Sequence, residues 1–309
     1  MGVVKSSGFL PHIILAGAPK CGTTSIFNHL KDHPQIYASS VKETYFLMDR
    51  GYPLFRKDWN IGEQGVSGYA RFFSGYEEHS GKYRLEATPD YLYQRTPLES
   101  IPQWPLKPKI IFVLRRPEER VYSLYRFAQN NLGIIDKELT FTSFVERLLQ
   151  ERVPFSNRFI LNNAIAHSSY VNYLLLWREH FDHRDIGIYL LEDFRINPQK
   201  FMCSLASDLG LDPSFYIDYN FTVENRSYRV KHQAVHRVKR LMSPYIKSEK
   251  ARKFLGTLYR SANVGVLPTI DDDEKLVMKH LAQCFENVNS RLETEFGLDL
   301  SSWNSRSAI

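Results

Sequence analysis

Residues 12–31 read His-Ile-Ile-Leu-Ala-Gly-Ala-Pro-Lys-Cys-Gly-Thr-Thr-Ser-Ile-Phe-Asn-His-Leu-Lys. The apolar run at 12–17 predicts a buried β-strand. The apolar residues of 24–31 recur at helical spacing, which predicts an α-helix. The first N–H groups of a helix have no partner within the helix and attract anions. This stretch therefore predicts a strand, a phosphate-binding loop and a helix, in that order.

The loop between this strand and helix carries the groups that bind a phosphate. Gly17 and Gly22 let the backbone come close to a ligand, because they have no side chain. Three hydroxyl residues follow and add hydrogen-bond donors. We predict that the nucleotide-binding residues of this segment are Lys20, Cys21, Gly22, Thr23, Thr24 and Ser25.

The position of the lysine separates this loop from an ATP-binding loop. The spacing is similar to G-x-x-x-x-G-K-[ST], but Thr23 stands where the lysine is expected and Lys20 lies inside the loop. In ATP-binding loops the lysine contacts the β- and γ-phosphates and the hydroxyl binds magnesium. The displaced lysine predicts a terminal group of a different shape and no required metal.

Outside this stretch, short apolar runs alternate with segments of helical periodicity. Strands are predicted at 12–17, 83–88, 109–114 and 186–191, and helices at 24–31, 117 to about 130, 141–151, 169–181 and 198–209. Strands that are apolar on both faces and alternate with helices are typical of a parallel sheet covered on both sides. We predict an α/β fold with a P-loop-like parallel sheet flanked by helices on both faces.

Composition limits the class of protein. The chain has 309 residues, of which 43% are hydrophobic and 14% aromatic, so we expect a folded core and a single domain over 1–309. Three cysteines are too few for a disulfide framework and favour a reducing compartment. No apolar run approaches the roughly 18 residues of a membrane span, and the N-terminus has no signal-peptide pattern, so we expect a cytoplasmic protein. The net charge of +6 suits an anionic ligand, and no nucleic-acid partner is expected.

Charge is concentrated in residues 226–260, which contain eleven Lys or Arg and one acid. One interpretation is a solvated helix face. We favour a lid over an anionic ligand, because this segment carries more charge than the whole chain. Four residues of the segment are candidates for closing over that ligand: Arg226, Arg229, Lys231 and His232.

A second anion site is predicted after the strand at 109–114. Arg115 stands at the carboxyl end of that strand, where open α/β sheets bind ligands. Ser123 follows in the next predicted helix, and an arginine fork with a short hydroxyl suits a second phosphate. As an alternative, Arg116 and Arg120 form surface pairs with Glu118 or Glu119, an interpretation that fits Arg120 better than Arg115.

The two predicted phosphate sites resemble those of sulfotransferases that use 3′-phosphoadenosine 5′-phosphosulfate (PAPS). The resemblance implies that 17–25 holds the 5′-phosphosulfate. It also implies that 115–125, similar to R-[DN]-P-x-x-R-x-x-S-x-Y, holds the 3′-phosphate. Further segments are similar to the heparan-sulfate sulfotransferase branch and to bacterial members, namely 41–46, 86–91, 170–181, 189–198 and 285–303. The resemblance covers about 12–303 and implies the sulfotransferase fold with PAPS as co-substrate.

The resemblance also implies in-line sulfuryl transfer to a hydroxyl or an amine. Glu43 is then the candidate that accepts the proton of the acceptor. Lys20 stabilises the charge on the leaving oxygen, with Lys42 assisting. The alternative is a surface ion pair between Glu43 and Lys42. Because a lone histidine is usually structural, we treat three histidines as weaker candidates for the base: His29, His33 and His167.

The sequence departs from the relatives at positions near the acceptor. Tyr45 stands where the motif has His, Met48 where it has Asp, and Ala87 where it has Lys; Arg116 replaces Asp or Asn in the second phosphate motif. These changes alter the residues that would bind a polysaccharide. The expected acceptor is therefore a small molecule or a saccharide, with the choice open.

Two other functions are weighed against sulfuryl transfer. A P-loop small-molecule kinase using ATP and magnesium needs a lysine at 23 and an acid after the strand at 109–114, where the chain has Thr23 and Arg115. A non-catalytic basic module that binds anionic polymers through 226–260 leaves both phosphate motifs unexplained. The sequence leaves open which small molecule or saccharide is the acceptor, and also the oligomeric state.

Overall fold

The computed structural model describes residues 9–76, 81–150, 155, 158–221, 229–230, 264–265 and 269–304. The chain divides into two compact units. The first unit comprises 1–120, 166–224 and 285–308, and the second comprises 121–165, 225–284 and 309. The expectation of one domain over 1–309 stays a prediction.

The first unit is built on a parallel sheet of five strands in the order β2-β3-β1-β4-β5. Their bounds are β1 Ile13–Gly17, β2 Ile36–Ala38, β3 Tyr83–Ala87, β4 Lys109–Leu114 and β5 Ile186–Leu190. All four pairings in this sheet are parallel. The predicted fold class is confirmed. The sequence did not reveal β2, because its three residues are too few to form a distinct apolar run.

Both faces of the sheet are buried. In β1, Ile13 and Leu15 belong to one apolar cluster, whereas Ile14 and Ala16 belong to another. All five residues of the strand are buried. Successive side chains of a strand point to opposite faces, so a sheet covered on both sides requires an unbroken apolar run. This requirement explains the sequence of 12–17.

Helices connect and flank the strands. The α-helices are α1 Thr23–Lys31, α2 Ile61–Gln64, α3 Arg95–Ser100, α4 Pro117–Phe127, α5 Phe141–Leu149, α6 Phe159–Asn162, α7 Tyr170–His180, α8 Leu191–Ile196, α9 Pro198–Asp208, α10 Asp272–Phe296 and α11 Ser301–Asn304. The predictions for α1, α4, α5, α7 and α9 are confirmed, with ends shifted by a few residues. Among the described helices, none is long and apolar enough to span a membrane.

Shorter elements complete the described structure. Turns of 3₁₀ helix lie at Val66–Phe73, Pro89–Tyr93, Ile101–Gln103, Ala166–Ser168, His183–Asp185 and Pro213–Tyr216, and a π-helical turn lies at Ala128–Leu132. In the second unit, β6 Arg229–Val230 pairs antiparallel with β7 Val264–Gly265. The turn at Pro89–Tyr93 follows β3 and brings its residues to the edge of the sheet where β1 also ends.

The order of the strands creates a switch point between β1 and β4. From β1 the chain proceeds to β2 at one edge of the sheet, whereas from β4 it proceeds to β5 at the other. In open α/β sheets, ligands bind outside the carboxyl ends of the strands at such a point. The loop after β1 and the segment that begins at Arg115 both start there.

Candidate functional site

The loop after β1 makes a tight turn that favours glycine at position 22. Gly22 is the N-cap of α1 and has φ 77° and ψ 8°, in the left-handed region. A Cβ at this position would lie 2.4 Å from Cδ1 of Leu191. Lys20 is also left-handed, with φ 71°, which is uncommon for a residue with a side chain. The turn directs the backbone of the loop into the start of α1.

The first turn of α1 presents donors at the end of this loop. The Ser25 N–H donates to the Gly22 carbonyl at 3.0 Å. Thr23 and Thr24 precede it, in the part of a helix where N–H groups have no acceptor within the helix. Thr23 is buried, whereas Thr24 and Ser25 are half-buried. This arrangement suits a phosphate or a sulfate.

Three cations of the first unit interact around the loop. Burial and the guanidinium groups of Arg115 and Arg120 lower the pKa of Lys20 to about 8. The Arg120 Nε donates to the Pro19 carbonyl at 3.0 Å, which ties this cation to the loop. Like charges held together repel, so an anion bound among them is favoured.

Arg120 is buried rather than paired at the surface. Its exposed fraction is 1%, and its Nη1 donates to the Ser168 hydroxyl at 2.9 Å. The ring of Tyr93 lies 5.9 Å from the guanidinium carbon. The alternative of a surface pair with Glu118 or Glu119 was wrong for Arg120, because the end of the first turn of α4 faces the loop.

Arg115 is held by a buried acid at the carboxyl end of β4. Its Nε and Nη2 donate to Glu119 Oε2 at 3.0 and 2.8 Å, and Arg195 binds the same oxygen at 2.9 Å. Burial alone would raise the Glu119 pKa, but the two arginines outweigh burial and hold that pKa below its usual value. Of the Arg115 side chain, 13% is exposed. Arg115 therefore forms a largely buried ion pair with Glu119, an interaction that the sequence favoured for Arg120 instead.

Cys21 and Ser123, both predicted to bind the nucleotide, are buried in the structure. The Cys21 thiol is fully buried, lies 3.4 Å from the Tyr170 hydroxyl and has a pKa raised by burial to about 11. Ser123 lies on α4, is 9% exposed and belongs to the second unit. The pairing of Ser123 with Arg115 on a phosphate stays a prediction, as does a contact of Cys21 with the nucleotide.

Glu43 lies between two donors near Lys20. Lys42 Nζ is 2.7 Å from Oε1, and the Tyr45 hydroxyl donates to Oε2. Burial raises the Glu43 pKa, but Lys42, Tyr45 and Lys20 together outweigh it, so this pKa lies below its usual value. The predicted ion pair with Lys42 is present. Its side chains are only 17% and 35% exposed, so it is not a simple surface pair.

Hydrogen bonds from the segment after β3 fix the backbone around Glu43. Thr88 Oγ1 accepts the N–H of Thr44 at 3.1 Å and that of Tyr45 at 3.4 Å. The Tyr91 hydroxyl accepts the N–H groups of residues 46 and 47, each at 3.1 Å. Glu43 is therefore attached to a backbone that the sheet itself positions.

A buried glutamate lies beneath these contacts. Glu86 Oε1 accepts the hydroxyls of Thr44 at 2.8 Å and of Thr88 at 2.6 Å. Burial raises the Glu86 pKa to about 7. In the described part of the chain Oε2 is buried without a partner. The sequence pointed to Glu86 only as part of the motif at 86–91, and β3 also contains Arg84, so the position of Glu86 in the strand gave no distinct signal.

Asp90, like Glu86, is a carboxylate of the site that the sequence did not single out. It is 9% exposed, and Oδ1 accepts the Tyr52 hydroxyl at 2.8 Å. Burial raises the Asp90 pKa to about 6, and the charge of Glu43 contributes in the same direction. The motif at 86–91 left this position unspecified, so nothing in it pointed to Asp90.

Comparison with known proteins places the chain in a family. The family model described as "Sulfotransferase domain" matches residues 10–253. The chain belongs to this sulfotransferase family. The resemblance stated from the sequence is therefore confirmed.

Two curated relatives and one solved structure are similar to this sulfotransferase. Carbohydrate sulfotransferase 15 of Homo sapiens is 25% identical over 66% of this chain and 44% of its own length. Bifunctional heparan sulfate N-deacetylase/N-sulfotransferase 2 of Homo sapiens is 24% identical over 71% of this chain and 24% of its own length. The chain thus spans less than half of these relatives. The crystal structure of a sulfotransferase from Alicyclobacillus acidocaldarius matches with a TM-score of 0.65 at 20% identity, covering 96% of this chain and 99% of that one, which supports the fold.

The three histidines have structural contacts in this sulfotransferase. His33 is bonded to backbone groups at both ring nitrogens, at 3.0 and 3.2 Å. His29 Nδ1 lies 3.2 Å from the Tyr219 hydroxyl. The His167 ring stacks on Tyr93 with centroids 3.8 Å apart, and burial lowers its pKa to about 3. Such a weakly basic imidazole is a poor proton acceptor, which favours the carboxylates.

The predicted lid falls mostly outside the described residues. Arg226, Lys231 and His232 are not among them, and Arg229 is described only as backbone of β6. Within the described ranges, no group of three or more His, Cys, Asp or Glu is placed to hold a metal ion. The lid and the independence from metal stay predictions.

Proposed function

We propose that this sulfotransferase moves the sulfuryl group of PAPS in line to a hydroxyl or an amine of a small molecule or saccharide. The observation that carries the proposal is the interaction of Lys20, Arg115 and Arg120 around a loop that leads into a helix N-terminus. A nucleotide with phosphates at two positions needs two anion sites. The segments after β1 and β4 start side by side at the switch point, which supports assigning one site to each of them.

Lys20 acts on the leaving side of the reaction. Its ammonium is largely protonated at neutral pH, because its pKa is about 8. A desolvated cation stabilises negative charge more strongly than an exposed one. As the bond between sulfur and the phosphate oxygen breaks, Lys20 stabilises the charge that remains on the phosphate.

Glu43 acts on the acceptor side. The acceptor oxygen or nitrogen forms a bond to sulfur and loses its proton, which Glu43 accepts. The hydrogen bonds from Lys42 and Tyr45 orient the carboxylate. The charge of Lys20 also acts on Glu43, so the residues of the leaving side and of the acceptor side interact. Protein groups in such transfers mainly align reactants and stabilise charge.

The test is a transfer assay with a labelled donor. Sulfur-labelled PAPS is incubated with the protein, a panel of hydroxyl and amine acceptors and a chelator, beside a parallel reaction with γ-labelled ATP and magnesium. We expect label to move from PAPS to an acceptor without metal. Transfer only from ATP would indicate the kinase instead. Failure to bind either nucleotide, with retention on anionic polymers, would indicate the basic binding module.

A further inference from the structure

Asp90 lies at the same edge of the sheet as the phosphate loop. It follows β3, which is the neighbour of β1, and the loop begins where β1 ends. Thr88 and Tyr91 on either side of Asp90 hold the backbone that carries Glu43 and Tyr45. The position of Asp90 is therefore set by two elements of the core, as a binding residue requires.

One oxygen of the Asp90 carboxylate is engaged and the other is available. Oδ1 accepts the Tyr52 hydroxyl at 2.8 Å. In the described part of the chain, Oδ2 has no hydrogen-bond donor, and the residue keeps 9% of its surface exposed. A nearly buried carboxylate with one open oxygen binds a donor strongly, because a charged acceptor makes a stronger hydrogen bond than a neutral one.

The charges around Asp90 distinguish the two sides of the site. Glu43 and Asp90 repel each other electrostatically. The cations that act on Asp90 have partners: Lys42 is bonded to Glu43, and Arg120 donates to a loop carbonyl and to Ser168. The phosphate side thus presents cations, whereas this side presents two carboxylates.

From this geometry we infer that Asp90, oriented by Tyr52, binds the acceptor through a second hydroxyl or amine next to the group that receives sulfate. The inference rests on the proposed sulfuryl transfer and names its substrate class. The favoured acceptors are vicinal diols and amino alcohols, in sugars or other small molecules. A carboxylate or sulfate at that second position would be repelled by both Asp90 and Glu43.

The experiment uses matched acceptors and the full chain. A pyranoside, a phenol and a linear alcohol are each prepared with a hydroxyl, an amine or a carboxylate beside the group to be sulfated. With labelled PAPS, we expect at least one hydroxyl or amine member to be labelled with a kcat/KM about tenfold or more above its carboxylate counterpart. D90N should raise the KM of that acceptor about tenfold and keep kcat within threefold of the wild-type value. It should also reduce the ratio of kcat/KM between that acceptor and its carboxylate counterpart. Y52F has a smaller effect in the same direction.

Controls separate this inference from the proposed function. Y189F removes a similar hydrogen bond, from Tyr189 to Asp208 at 2.7 Å, and is expected to leave the kinetics unchanged. Calorimetry with 3′-phosphoadenosine 5′-phosphate (PAP) tests the nucleotide site independently of any acceptor. If PAP binds and either the carboxylate members are labelled equally well or no member is labelled, the acceptor assignment is wrong. A D90N enzyme with a lower kcat at unchanged KM would likewise overturn it and place Asp90 in proton transfer.

Discussion

The ammonium group of Lys20 is the cation most directly tied to the proposed chemistry. Burial and two neighbouring arginines lower the pKa of Lys20 to about 8, although the charge of Glu43 acts in the opposite direction. The charge of Lys20 is therefore present below about pH 8 and is lost as the pH rises through that value. A bound anion would raise this pKa again, because opposite charges favour the protonated form.

We predict that K20A lowers kcat more than it lowers the affinity for PAP. An interaction made mainly in the transition state has this signature. The measurement combines steady-state sulfuryl transfer with calorimetry of PAP, and K57A serves as a control because Lys57 is exposed. A K20A enzyme with normal turnover and only weaker PAP binding would reduce Lys20 to a ground-state phosphate contact.

E43Q tests the proposed proton acceptor. Glutamine keeps the size of the side chain but cannot take up a proton, so turnover should fall by about 10²–10⁴ with PAP affinity unchanged. Because its neighbours hold the Glu43 pKa below the usual value, the wild-type enzyme loses activity only at low pH, and this acidic limb disappears in E43Q. Retention of more than about a third of the turnover would reject the assignment. A mere ion pair with Lys42 predicts almost no change in rate.

Lys20 and Glu43 are positioned by a framework that consists of the loop after β1 and of β3 with the turn that follows it. Glu86 is central to this framework, since one of its oxygens accepts two threonine hydroxyls while the other is buried without a partner in the described structure. Its folded-state pKa of about 7 exceeds the ordinary 4.5, so the folded state binds the proton more tightly than the unfolded state. The resulting stabilisation is complete below about pH 4.5 and is lost as the pH rises through about 7.

E86Q should remove this dependence on pH. Glutamine imitates the protonated carboxyl, because its carbonyl accepts both hydroxyls and its amide replaces the O–H. Thermal unfolding at pH 5 and pH 8 should therefore show E86Q gaining stability relative to wild type as the pH increases. The control is E63Q, which alters a side chain that is 54% exposed. An equal difference from wild type at both pH values would mean that Glu86 titrates normally.

The elements of the core could be predicted from the sequence, whereas the acceptor side could not. The apolar run of β1, the glycines of the loop and Arg115 after β4 are all local patterns. Thr44 contacts Glu86, and Tyr52 contacts Asp90, although the partners lie about 40 residues apart in the chain, and such contacts leave no periodicity in the sequence. The burial of Arg120 was also hidden, because an arginine in the first turn of a helix is usually exposed.

At the scale of the whole molecule, the parallel sheet brings the segments after β1 and β4 to one switch point. Glu86 lies on the adjacent strand β3, and Asp90 lies in the turn that follows it. Arg115 lies at this switch point, because its hydrogen bonds to Glu119 hold the guanidinium group at the end of β4. R115A should weaken PAP binding by about 2–4 kcal/mol, the range for removing one partner of a desolvated charge pair. R50A, which alters an exposed arginine, is the matched control. An R115A protein that binds PAP as well as wild type would exclude Arg115 from the 3′-phosphate site.

The most direct measurement is the affinity of the protein for PAP beside that for ADP, by calorimetry in a buffer with a chelator. PAP carries its second phosphate at the 3′ position, whereas ADP carries it on the 5′-phosphate. The difference between the two affinities therefore measures the contribution of the second anion site. We predict that PAP binds far more tightly than ADP and that R115A removes most of the difference. Equal affinity for PAP and ADP would mean that the chain has no site for a 3′-phosphate and does not use PAPS.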